Sequence, residues 1–179
     1  MESKDLINQF LNTDITRLGA INRYNNKHRN HEENVAEHTF YVMHMVKEIM
    51  DHYKLQNPLL RLYCMELALA HDVAEAITGD ISFDTKDMNG RLSKVVNAAE
   101  REAIKSYFPQ YSEIYDNYLH EEENRSLVFL IVKIADTASV VKYAELEKDL
   151  GNNTKEFVEI RFNAMERLKS LIDELEKLL

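Results

Sequence analysis

The chain has 179 residues, among them seven histidines and a surplus of acids over bases. Three groups of metal-ligating side chains fall on faces that the sequence marks as apolar. His38 shares a helix face with Val42, Met45 and Ile49, at steps of 4, 3 and 4. His71 and Asp72 are adjacent, with Leu67 and Ala68 one turn earlier. Asp136 shares its face with Val132, Val140 and Tyr143. A carboxylate turned into a core is costly unless it is paired or bound to a metal. Two inward acids and two inward histidines on separate helices meet the requirement for a metal site in a helical bundle. Each group alone has a plain structural alternative: a hydrogen-bonded core histidine, a chance His-Asp dipeptide, an aspartate paired with Lys133. Their conjunction on three buried faces favours ligation.

Two imidazoles and two carboxylates form a mixed N/O set suited to Mn²⁺, Fe²⁺, Co²⁺ or Zn²⁺ and poorer for Ca²⁺. Such an ion lowers the pKa of bound water and polarises a phosphoryl oxygen. Two carboxylates neutralise a divalent charge, so a nearby Arg would help to bind phosphate. Glu75 lies four residues after His71, one helical turn along. It could act as general base or acid there, or be a solvated helix glutamate. The single cysteine, Cys64, excludes a disulfide framework and Cys-based zinc motifs.

The elements that must carry these residues are helices. Four Gly and two Pro make up about 3% of the chain, against about 12% in ordinary proteins. Turn chemistry is too scarce for a many-stranded sheet, and an all-α bundle is expected. The patterning predicts helices over 3–12 and 14–21, then a polar loop, NRYNNKHRNHEE. Asn34 with Glu37 resembles a capping box opening the helix that carries His38. Asn57-Pro58 is a start signal for PLLRLYCMELALAHDVAEAI, which is apolar on more than one face and expected to be central. TGDISFDTKDMNG reads as a loop. Further helices are expected over 91–107, 112–120, 125–149 (stopped at Gly151) and 154–178. There is no repeat or linker, so residues 1–179 are read as a single domain.

The formal charge of -9 argues against polynucleotide binding, which relies on clustered Lys and Arg. It leaves room for one small phosphate at a local site. The opening MESKDLINQF lacks the apolar stretch of a secretory signal. The longest uninterrupted apolar run, Leu127 to Val132, is far too short for a membrane span. A cytoplasmic protein without a membrane partner is expected.

His38, the His71-Asp72 pair and Asp136 reproduce the H…HD…D pattern of HD-domain phosphohydrolases. The likeness is greatest to the HD-domain 5′-deoxynucleotidases, which remove phosphate from deoxyribonucleoside 5′-monophosphates. It rests on AINRYNNKHRNHEENVAEHTF, AHDVAEAITGDI and VKIADTASVVKYAELEKDLGNN, which reach from about residue 18 to 153. The resemblance implies an HD-type helical bundle with one divalent ion held by His38, His71, Asp72 and Asp136. That ion is commonly Co²⁺ or Mn²⁺ in assays, with Fe²⁺, Zn²⁺, Ni²⁺ and Mg²⁺ as further candidates. It implies that Glu75 positions or activates the attacking water and that Arg23 holds the 5′-phosphate. Thr78 and Asp80 fall at positions important to the substrate pocket, and Asp80 counts with Glu75 as a catalytic candidate. Members of the branch generally form homodimers.

One position departs from the pattern. The deoxynucleotidases carry Trp after the Arg of the INR segment, where it favours a 2′-deoxy sugar; here it is Tyr24. Tyrosine keeps an aromatic wall and adds a hydroxyl able to hydrogen-bond a sugar or base, unless it is an ordinary packed aromatic. Deoxy over ribo selectivity is therefore open. Other HD hydrolases fit less well. HDVAEA lacks the second acid of the HDxxED motif of alarmone hydrolases, and the GYP motif of the cyclic-dinucleotide branch is absent. Hydrolysis of a deoxynucleoside triphosphate is a further alternative. A catalytically silent nucleotide-sensing domain would be marked by loss of a ligand or of Glu75, and all are present.

Overall fold

The computed structural model describes residues 3–82 and 90–179. The described residues form helices α1 (Ser3–Leu11), α2 (Val35–His52), α3 (Pro58–Ala70), α4 (Glu75–Thr78), α5 (Gly90–Tyr107), α6 (Ser112–Glu123), α7 (Leu127–Asp149) and α8 (Lys155–Leu178). Short 3-10 turns span Asp14–Ala20 and Pro109–Tyr111. Among these residues there is no strand beyond an isolated antiparallel bridge between Asn22 and Asn34. The all-α expectation is met. Residues 83–89 of the expected TGDISFDTKDMNG loop lie outside the described residues.

The predicted caps form. The Asn34 side chain accepts from the Glu37 amide, and the Glu37 carboxylate accepts from the Asn34 amide, 3.0 and 3.1 Å apart. Asn57 accepts from the amides of Leu59 and Leu60, with Pro58 in the first turn. At the end of α7, Gly151 takes φ 90°. Its amide bonds the Lys148 carbonyl while that of Asn152 reaches Glu147, a Schellman termination that favours glycine.

Two expectations change. The helix read over PLLRLYCMELALAHDVAEAI stops at Ala70. The amides of Val73, Glu75, Ala76 and Ile77 bond three residues back, as Val73 to Ala70 and Glu75 to Asp72. The first of these tighter bonds spans the His71-Asp72 pair. The segment at 14–20 is likewise 3-10 rather than α-helical.

The central helix is α7. Its residues Leu130, Ile131, Val132 and Ala135 are completely buried, and it packs against α2, α3, α6 and α8. Helix α3 leaves Leu59 and Leu62 exposed. The main core joins Val42, Val46 and Met50 of α2, Cys64 and Leu67 of α3, Leu130 and Ile134 of α7, and Leu171 and Leu175 of α8. At about 1.5–3 kcal/mol per fully buried large apolar side chain, this core sets three backbones rigidly around the polar site. No described helix is long and apolar enough to cross a membrane.

Candidate metal centre and substrate site

His38 comes from the second turn of α2, His71 and Asp72 from the turn after α3, and Asp136 from the middle of α7. His38 is fully buried and His71 nearly so. Their Nε2 atoms face each other at 3.4 Å. Asp72 Oδ2 lies 3.4 Å from His38 Nε2 and 3.1 Å from His71 Nε2. Asp136 Oδ1 lies 3.3 Å from His38 Nε2. Donors bound about 2.0–2.2 Å from one ion stand about 3–3.5 Å apart, so these separations fit a shared cation. The ligand atoms of His38, His71 and Asp136 all lie within 4.8 Å of one another.

The chemistry of the donors fits as well. His71 Nδ1 lies 2.7 Å from the Ala68 carbonyl. A carbonyl only accepts, so Nδ1 carries the proton and Nε2 offers its lone pair. His38 Nδ1 lies 2.8 Å from Ser139 Oγ, which can accept from it and leave Nε2 free in the same way. Burial works against ionisation of Asp72, but when no metal is bound and the rings are protonated, His71 and His38 hold its carboxyl well below the usual range. Burial is likewise outweighed at Asp136, chiefly by Lys133 and His38. Lys133 Nζ binds Asp136 Oδ2 at 2.5 Å, so the lysine pairing and the inward ligand position hold together, one on each oxygen.

Arg23 stands beside this cluster. Its Nη1 lies 2.7 Å from Glu33 Oε2 and 2.7 Å from His38 Nδ1. Burial opposes its charge, but Tyr24, Glu33, Asp136 and Asp72 keep it firmly protonated. Its place is set by the loop of residues 22–34, closed at its base by the amide of Arg23 to the Glu33 carbonyl and that of Val35 to Ile21.

Tyr24 follows with φ 55°, in the left-handed region. Its ring lies parallel to Tyr143, centroids 4.6 Å apart, with Phe157 tilted against both at 5.9 and 6.0 Å. The hydroxyl is buried and meets no hydrogen-bond partner among the described residues. Burial, together with Glu33, Asp136 and Asp80, pushes its pKa up to about 12 against the pull of Arg23.

Glu75 opens α4 and is 7% exposed, which removes the solvated-glutamate reading. Thr78 closes α4 with its hydroxyl directed at the carbonyls of Ala74 and Gly79. Asp80 follows Gly79, half-buried, with its charge felt at Tyr24. His28 and His31 are exposed loop side chains. His44, His52 and His120 lie on the surface, away from the cluster. Sequence reasoning passed over Glu33, Ser139 and Glu147. Ser139 and Glu147 lie on the stripe of α7 that runs Asp136, Ser139, Tyr143, Glu147, and that spacing was the available signal.

A helical bundle in which H…HD…D converges on one buried point is the architecture of HD-domain phosphohydrolases. A structure of an HD-domain phosphohydrolase from Listeria innocua superposes with a TM-score of 0.74 at 24% identity, covering 93% of this chain and 82% of that one. The cyanophage S-2L HD phosphohydrolase DatZ, bound to dA and one catalytic Zn²⁺, gives a TM-score of 0.69 at 19% identity over 92% of this chain and 94% of its own. The family model 5′-deoxynucleotidase YfbR-like matches residues 9–177, and the chain belongs to that family. A curated 5′-deoxynucleotidase of Yersinia pestis is 27% identical over 158 residues, 82% of this chain and 77% of that protein. The chain is thus an enzyme, a hydrolase of nucleotide phosphomonoesters.

Proposed function

We propose that the chain hydrolyses nucleoside 5′-monophosphates, deoxyribonucleotides among them, to nucleoside and phosphate, as one domain spanning residues 1–179. The observation that carries this reading is the placing of an obligate cation, Arg23, against a converged His38, His71, Asp72 and Asp136. A divalent ion held by those four side chains would supply Lewis-acid polarisation of a phosphoryl oxygen and a water of lowered pKa. Its mixed N/O donors suit Co²⁺ or Mn²⁺.

The chain's own residues then divide the work. In the His38 tautomer that offers Nε2, the proton on Nδ1 goes to Ser139 Oγ and Nδ1 cannot also accept from Arg23. The guanidinium keeps Glu33 and turns its free N–H groups to the phosphate oxygens, where it stabilises the charge of the transition state. Glu75, buried at the start of α4, orients the attacking water and takes its proton. The P–O ester bond breaks in line with the attack, and the departing nucleoside oxygen takes up the proton that Glu75 received. Asp80 and Thr78 border the substrate beside Tyr24.

Tyr24 bears on sugar choice. Its buried hydroxyl without a partner is the group that a ribose hydroxyl could satisfy, and this favours acceptance of ribonucleotides beside deoxyribonucleotides. A cytoplasmic location and a homodimeric assembly belong to the same reading, by the habit of the family. Phosphate release from dAMP, dGMP, dCMP, dTMP and dUMP and their ribo counterparts, with Co²⁺ or Mn²⁺ added, tests it. No release from any monophosphate by metal-loaded protein would refute it. Tyr24→Trp should shift the ratio of rates toward deoxy substrates, and an unchanged ratio would refute the part given to Tyr24.

A further inference from the structure

Glu147 is fully buried near the end of α7, about three turns and 16 Å along the helix axis from Asp136. Its carboxylate accepts from the Asn30 amide at 2.9 Å, the His31 amide at 2.7 Å and the Asn152 side-chain amide at 2.6 Å. No Lys or Arg pairs with it among the described residues. Around it, the Tyr143 hydroxyl donates to the His31 carbonyl at 2.5 Å. The Asn152 side chain donates to the His28 carbonyl at 2.8 Å, and that of Asn30 to Leu150 at 3.1 Å. The loop backbone at residues 28, 30 and 31 is therefore fastened to the end of α7. A buried acid without a counter-charge is a poor way to gain stability, since a well-packed apolar side chain does as well or better. Its two oxygens do suit adjacent backbone N–H groups that converge on one point. A glutamine would turn its own NH₂ against one of them.

We propose that Glu147 is a positioning residue that holds the 22–34 loop, and with it Arg23 and Tyr24, in register with the metal centre. The two ends of this arrangement share one helix. Asp136 and Ser139 serve the ion and His38, while Tyr143 stacks on Tyr24 and Glu147 grips the loop behind it. Arg23 and Tyr24 thus take their distance from the ligands from the pitch of α7. This rests on the role given to Arg23 above.

The test is steady-state hydrolysis of dAMP by the full-length, metal-loaded Glu147→Gln protein, with metal content and amide exchange in residues 22–34 measured on the same sample. Faster exchange at Asn30 and His31, a KM raised about tenfold or more, a smaller fall in kcat and unchanged metal content support positioning. Faster exchange with KM within twofold of wild type overturns it, as does unaltered exchange. Should Glu147→Gln fail to fold, Asn152→Ala removes one donor and should raise KM about threefold; an unchanged KM there overturns the proposal. If the wild-type protein releases no phosphate, the functional reading fails instead, and dAMP affinity of the same variants decides the role of Glu147. Wild type that neither hydrolyses nor binds any nucleotide overturns both.

Discussion

A buried histidine serves as a ligand when its second nitrogen is tied to a fixed partner, because that bond sets both the tautomer and the plane of the ring. His71 has the Ala68 carbonyl for this purpose and His38 has Ser139. The two differ in kind, since a carbonyl imposes the proton on Nδ1 whereas a hydroxyl can donate or accept. Ser139→Ala should therefore weaken divalent-ion affinity about 10–100-fold, measured by competition with a chelator, with little change in kcat at saturating metal. Glu75 is buried within the first turn of α4, and in the proposed role its replacement removes a proton acceptor without removing a ligand. Glu75→Gln should lower kcat about 10²–10⁴-fold while metal content stays at the wild-type level. Loss of the metal in that variant would instead make Glu75 part of the ion's binding site.

The helices show how a glycine-poor chain ends its elements. Beyond α2 and α6 the left-handed position is filled by Lys54 at φ 55° and Arg125 at φ 49°. Each closes a Schellman pair of bonds, Leu55 to Met50 with Lys54 to Asp51, and Ser126 to Glu121 with Arg125 to Glu122. A side chain with a Cβ is strained there, so Lys54→Gly should raise stability by about 0.5–1 kcal/mol, read from the midpoint of chemical denaturation. Arg125 also pairs with Glu174, which makes Lys54 the cleaner test. Glu147, near the end of α7, fastens the loop at Asn30 and His31 to the helix. Burial opposes its ionisation, but the bonds from Asn30, Asn152, His31 and Tyr143 hold its pKa below the ordinary 4.5. A depressed acid contributes stability that is complete above its unfolded pKa and is lost as pH falls through the folded one. The stability gap between wild type and Glu147→Gln, about 1–3 kcal/mol at pH 7, should hold from pH 7 to 5. Below pH 4 it should shrink.

At the level of the whole molecule, the proposed ligands come from α2, the turn after α3, and α7, so an ion bound to them ties together helices far apart in sequence. Such an ion stabilises the folded state by about 2.7–4.1 kcal/mol at 100–1,000 times its Kd. Chelation should lower the melting temperature by several degrees, and adding back Co²⁺ or Mn²⁺ should restore it; an unchanged melting temperature would count against an ion joining the three segments. Much of this plan was legible in the residues. Helix caps are local chemistry, so Asn34, Asn57 and Gly151 could be read from their neighbours alone. The inward faces of His38 and Asp136 followed from a periodicity that any helix imposes. The break at His71 was not legible, because Ala, His, Asp and Val continue an apolar helical pattern without a glycine or proline to stop it. Nor was the use of Glu33, since an acid in a polar stretch looks the same whether it meets water or a buried guanidinium. The sequence by itself determined most of the helices and the inward faces of His38 and Asp136, because those rest on spacing along one element, and its H…HD…D pattern carried the resemblance to the family. The tertiary structure decided that donors from separate segments meet 3.3–3.4 Å apart and that Arg23 reaches His38. Those distances depend on packing between segments up to 98 residues apart, which no local pattern encodes.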